Sequence, residues 1–190
     1  ISQRVADYSQ VIASLRNEAW WNGKLVLFGG SEGGAAMQIL AAEVRPNVAV
    51  IFSSATGMPF REAFVRVLPP SEAKAAPGHI AAIRKNPDST KIWLSNSYRW
   101  WSDIMDRRLS DDALRATATA FLVVQGKRDQ SNPATSARRL AANFRTSGRK
   151  NVTYWEFADY DHTMVDQKGQ SHLPEVLSQI SDWLTKTLAR

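Results

Sequence analysis

Four short apolar blocks, set apart by segments of helical periodicity, constrain the fold of this chain more than any other feature. Lys24 to Phe28, Val48 to Ser53, Ala120 to Val124 and Val152 to Phe157 read as strands buried on both faces. The segments around them change period. Val5, Tyr8, Val11, Ile12 and Leu15 recur at steps of three and four, as on an amphipathic helix. A second helix runs from Ala35 to about Val44 and is stopped by Arg45-Pro46-Asn47. Asn132-Pro133 reads as the N-cap and first turn of a third, which reaches about Phe144 and ends at Ser147-Gly148. Leu173, Val176, Leu177, Ile180, Trp183, Leu184 and Leu188 mark the last. Alternating strands and helices predict an α/β fold, a mostly parallel sheet with helices on both faces. Ligands in such sheets bind beyond the carboxyl ends of the strands, so chemistry is expected in the loops after Phe28, Ser53, Val124 and Phe157.

The totals fit one domain over residues 1–190, with 44% apolar and 22% charged residues. From Gly57 to about Ala118 the pattern is irregular and mostly helical, broken by Pro69-Pro70, Pro77-Gly78 and Asn86-Pro87. Residues 60–118 are therefore expected to form an insertion between the second and third strands. No apolar run approaches the ~18 residues of a membrane span. The net charge is +6, but Lys and Arg are scattered and form no basic stripe, which argues against nucleic-acid binding. The absence of cysteine removes disulfides, thiol chemistry and Cys-metal sites. No His/Asp/Glu set has metal-ligand spacing, so no metal is expected. The first residues carry no targeting pattern, and compartment is not legible.

The turn after the first strand is Gly29-Gly30-Ser31-Glu32-Gly33, a G-x-S-x-G pattern between strand and helix. That context suits a nucleophile elbow: the serine is forced into a tight turn, and its hydroxyl stands clear of the sheet. Gly29 and Gly33, two before and two after it, are expected to relieve the crowding. Read instead as a glycine-rich turn, the segment packs tightly or binds phosphate. A serine nucleophile needs a base, and the base an orienting acid. Asp129 lies five residues beyond Val124, and His162 five beyond Phe157. Both fall on the rim that carries Ser31, in the chain order serine, acid, histidine. Singly, Asp129 is a solvated loop carboxylate and His162 a surface histidine; their joint order and placement point to a Ser31–Asp129–His162 triad, with Asp161 as the fallback acid. His79 and His172 are expected to be exposed, and Asp103, Asp106, Asp111 and Asp112 to be solvated.

Leu25 to Gly34, Val123 to Asp129 and Asp161-His162 together resemble the α/β-hydrolase family. The resemblance is to the branch of dienelactone-hydrolase-like, prolyl-oligopeptidase-like and acyl-thioester-hydrolysing enzymes, and spans nearly the whole chain outside the insertion. It implies a hydrolase acting on a small acyl substrate without a cofactor, with the Glu32 N–H as one oxyanion-hole donor. The family's second donor comes from strands ahead of the helix on which this chain opens. The resemblance thus implies that a second polypeptide or a preceding segment completes the sheet. The insertion corresponds to the family's cap, and Trp100 and Trp101 are expected to line a substrate pocket, although the same aromatic stripe serves equally to pack the cap on the body. Trp20 and Trp21 are expected to pack. Ester, thioester and peptide bonds all remain open, as does a non-catalytic role in binding or assembly. A nucleotide-binding reading lacks both the G-x-G-x-x-G fingerprint and the P-loop lysine.

Overall fold

A computed structural model describes residues 1–54 and 57–189. Along the chain run α1 (Ser2–Leu15), β1 (Val26–Gly30), α2 (Glu32–Val44), β2 (Val48–Phe52), α3 (Phe60–Val65) and α4 (Pro70–Lys85). Then follow β3 (Ile92–Trp93), β4 (Asn96–Ser97), α5 (Tyr98–Ile104), α6 (Leu109–Arg115), β5 (Ala120–Gly126), α7 (Ala134–Thr146), β6 (Val152–Phe157) and α8 (Leu173–Leu188). The four apolar blocks form one parallel sheet in the order β1-β2-β5-β6. β1 lies two residues later than the pattern predicted, and β5 runs on to Gly126, so both strands reach further toward the rim.

Alternation along the strands divides the interior into two cores. Leu27, Ala49, Ile51, Phe121 and Val123 face α1, α2 and α7; Val48, Val50, Phe52, Leu122 and Val124 face Val176 and Ile180 of α8. Helices thus cover both faces, as predicted. α2 is buried almost all round, and Gly34, Ala35, Ala36 and Ala41 allow it to lie close to the sheet. It ends because Arg45 turns left-handed at φ 48° and Pro46 cannot continue it. α1 is less buried than its pattern predicted: Val5 and Ile12 are inside, while Tyr8 and Val11 are exposed. Trp20 is 66% exposed and does not pack. α7 is capped by Pro133, not Asn132, whose side chain crosses to the Ser53 carbonyl at 3.1 Å.

The insertion builds α3 to α6 and a two-residue antiparallel ladder, β3 with β4. Its apolar side chains do not form a separate core. Phe60, Ile83, Trp101, Ile104, Leu109 and Ala113 join the cluster under α2. Of the acidic residues expected to be solvated, Asp106 and Asp111 are exposed, Asp103 is half-buried and Asp112 is buried. Asp112 is 3% exposed and meets Arg107 at 2.9 Å as well as Arg115. Asp106 meets Arg61 and Arg84, and Asp103 binds the N–H and hydroxyl of Ser2.

Candidate active site

Ser31 sits between β1 and α2 with φ 50° and ψ −121°. A side chain with a Cβ avoids this region, so the turn has to be held from outside. The Ser31 N–H donates to the Phe52 carbonyl at the end of β2, at 2.9 Å, and the Gly34 N–H donates to the Ser31 carbonyl at 3.1 Å. The serine side chain is exposed at the rim. The steric demand falls on Gly29 and Gly34. A Cβ on Gly29 would overlap the Gly33 carbonyl and Met37, and one on Gly34 would stand 2.6 Å from Ser54 Cβ. A Cβ on Gly33 meets nothing within 4 Å, so the crowding expected there lies one residue later. Glu32 opens α2 and turns its carboxylate to Arg4 at 2.6 Å, in an exposed pair of small energetic weight.

The loop after β5 presents Asp129, whose side chain is wholly buried. Its Oδ1 accepts the backbone N–H groups of Ser131 and Asn132, each at 2.8 Å. Its Oδ2 faces His162 Nδ1 at 2.8 Å and accepts from Gln125 Nε2 at 2.9 Å. The hydrogen bond to Asp129 raises the imidazole's proton affinity above that of an ordinary histidine, partial burial opposes it, and the charges of Asp129 and Asp161 add to the rise. With Nδ1–H directed at Asp129, Nε2 is left to accept a proton. Asp161 is not a rival acid. Its Oδ1 accepts from the N–H groups of Thr163 and Val165 and from the Thr163 hydroxyl, which closes the turn that carries His162.

Ser31 and His162 share one cavity of about 200 Å³ with Gly30, Phe52, Ser53, Thr163 and Leu173. A larger cavity, about 620 Å³, lies at the amino ends of the strands by Lys24, Lys150 and Lys186, far from these side chains. Among the described residues, no three His, Asp or Glu side chains are grouped to hold a metal ion, and no helix is long and apolar enough to cross a membrane.

No protein-family model and no curated protein sequence matches the chain. Solved structures do. Est1E from Butyrivibrio proteoclasticus superposes with a TM-score of 0.70 at 17% identity, over 98% of this chain and 70% of its own. The Pyrococcus furiosus esterase Pf2001 gives 0.62 at 15% identity, over 96% and 61%. An alpha/beta fold family hydrolase from Bacillus anthracis gives 0.54 at 14% identity, over 96% and 73%. The chain has the α/β-hydrolase fold. It spans about three fifths to three quarters of the length of these neighbours.

Within this α/β-hydrolase fold, Ser31, Asp129 and His162 stand on three loops at the carboxyl ends of β1, β5 and β6. Trp100 and Trp101 do not join them. Trp101 is fully buried, its Nε1 donates to the Trp93 carbonyl at 2.9 Å, and its ring touches Phe60, Phe64, Trp93 and Trp100. Trp100 packs edge-on to Phe60, 5.7 Å between ring centres. No described residue of the insertion lines the Ser31 cavity. Trp101 is packing, whereas Trp100 is half-buried and lines a separate cavity of about 480 Å³ with Ser97, Arg99 and Asp103. The remaining histidines are half-buried: His79 stacks on Trp93, and His172 stacks on Tyr160 and meets Asp166 at 3.2 Å. Sequence reading missed Gln125, Gly126 and Leu173. The first two had a signal in a polar-then-glycine pair closing a wholly apolar strand, where an uncompensated buried amide would be costly. A Cβ on Gly126 would overlap the carbonyls of Tyr160, at 2.5 Å, and Asp161, so only glycine lets the His162 loop lie against β5.

Proposed function

We propose that this chain is a serine hydrolase that cleaves carboxylic esters or related acyl bonds through Ser31, His162 and Asp129. One observation carries the reading: a serine held at φ 50° shares an apolar cavity with a histidine bonded to a buried carboxylate. An ordinary turn takes the left-handed pair that Arg45 adopts, not φ 50° with ψ −121°, and an ordinary surface histidine has no buried acid behind it. The fold is shared with a protein described as an esterase, which agrees with this chemistry.

In the reaction, His162 Nε2 takes the Ser31 hydroxyl proton as Oγ attacks the acyl carbon. The imidazolium is stabilised by Asp129. The carbonyl oxygen gains negative charge beside the Glu32 N–H, in the first turn of α2, where the helix dipole favours an anion. Collapse expels the alcohol, which takes the proton from His162. Water, deprotonated by His162, then releases the acid and restores Ser31. The small, apolar cavity suits a short acyl or alcohol group. No step requires a cofactor. Among the described residues β1 is paired on one side only, and Val26 and Phe28 on it are exposed. A further strand, from a preceding segment or a second polypeptide, would cover that edge and bring the second oxyanion donor.

Labelling by a fluorophosphonate probe tests the reading. Labelling of the native protein that vanishes in Ser31→Ala supports it. A folded native protein that is not labelled refutes it for this chain and favours a role in binding.

A further inference from the structure

Gln125 is fully buried at the end of β5, one residue before Gly126. Its amide nitrogen is ringed by oxygens: Asp129 Oδ2 at 2.9 Å, the Asn132 carbonyl at 3.0 Å and the Gly126 carbonyl at 3.1 Å. Its own Oε1 is buried and has no partner among the described residues. That asymmetry fixes which way the amide points. Turned over, it would set a carbonyl oxygen against three others, one of them a carboxylate, in a fully buried site.

The geometry points to Gln125 as a positioning residue that tempers the Asp129–His162 pair by sharing the carboxylate oxygen that holds the imidazole. This rests on the reading of His162 as the general base. The two backbone N–H groups at Oδ1 fix one end of the carboxylate, and rotation about that end remains possible. Gln125 stops the rotation at Oδ2 and takes up part of its negative charge. An imidazolium opposite a shared oxygen is held less strongly than one opposite a free oxygen. A base that must be neutral to act gains from this, because a carboxylate that stabilises the charged form too well leaves the histidine protonated. The charged groups that bear on His162 are Asp129 and Asp161, from two different loops, and Gln125 moderates only the first.

The test is an NMR titration of His162 in the native protein, in Gln125→Met, which keeps the shape without the donor, and in Gln125→Glu, which sets a second carboxyl against Asp129. The midpoint is expected to rise by about half a pH unit in Gln125→Met and by more in Gln125→Glu. Probe labelling of Gln125→Met should then slow, by about threefold well below the native midpoint, and recover at about pH 9, because only the neutral fraction of the base has changed. A folded variant whose midpoint is unchanged or lower overturns the inference, and so does a labelling rate reduced equally at every pH, which is the mark of a structural role. Should Gln125→Met not fold, Gln125→Leu, which also lacks the donor, decides by the same midpoint. A native protein that the probe fails to label would sink the hydrolase reading, while the titration would still decide what Gln125 does to the pair.

Discussion

Replacing Asp129 by asparagine changes one atom at the point where the site is most tightly wired. Asp129 accepts four hydrogen bonds, two at each oxygen. The variant's Oδ1 can keep the two backbone donors, which leaves its amide NH₂ facing both Gln125 Nε2 and His162 Nδ1. One conflict is relieved when His162 changes tautomer and accepts at Nδ1, but its Nε2 then carries the hydrogen and cannot take a proton from Ser31. The other is relieved only if Gln125 turns over, at the expense of its bonds to the Gly126 and Asn132 carbonyls. The first adjustment removes general-base catalysis, a loss of about 10³–10⁴ in kcat, or about 4–5.5 kcal/mol in the barrier. The second leaves buried polar groups without their partners, at about 1–3 kcal/mol each, which lowers Tm by several degrees in a chain of this size. Hydrolysis of a p-nitrophenyl ester, read beside thermal unfolding by circular dichroism, separates the two. An Asp129→Asn protein that retains activity within about threefold of native would refute the assignment of His162's partner, since wrong-tautomer histidine has no other route to the proton.

The pH profile follows from the same pair. His162 holds its proton above the ordinary histidine range, so kcat/KM should rise with pH through a midpoint above about 6.5, and in Asp129→Asn that midpoint should fall. The sign for stability is opposite: the contribution of the pair is complete below about pH 6.5 and is lost as pH rises through the folded-state value, which denaturant midpoints across that interval would show. Gly34→Ala forces a methyl to 2.6 Å from Ser54 Cβ and should destabilise by about 1–3 kcal/mol, whereas Gly33→Ala, with open space, should be neutral or gain a few tenths. Denaturation of the two variants compares them directly, and equal losses would contradict the placement of the tight contact. Trp101→Ala should cost about 3–5 kcal/mol, because a fully enclosed ring leaves a cavity its aromatic neighbours cannot close, and a Tm within about two degrees of native would contradict that packing.

What could be read from the chain beforehand was what depends on local pattern. The apolar blocks gave the strands because their runs are short and apolar, and Ser31, Asp129 and His162 could be singled out because all three follow strand ends in a fixed order. What could not be read depends on side chains meeting, some from distant parts of the chain and some across a single turn. Gly33 and Gly34 are indistinguishable by pattern, and only the arrival of Ser54, two residues beyond β2, makes Gly34 the one that cannot carry a side chain. Trp101 could have faced a ligand or other rings, and the choice was made by Trp93 nearby and by Phe60 and Phe64, about forty residues earlier. Asp112 looks like a surface carboxylate until Arg107 folds over it. Gln125 is the clearest omission. Its place in a buried strand was visible, but its partners lie in the following loop, whose conformation no periodicity describes.

Gly126 has a meaning for anyone reading variation in chains of this kind. Its backbone is not left-handed, so alanine would suit the strand there, and nothing at the position touches a reacting atom. Yet a single methyl would push on the carbonyls of Tyr160 and Asp161, which are the two peptide groups leading into His162. In a saturation screen scored on activity, this position would rank among the chemical residues, although it contributes no atom to the chemistry. Its contribution is clearance, the width of one hydrogen, and with it the distance between an acid and the imidazole it steadies.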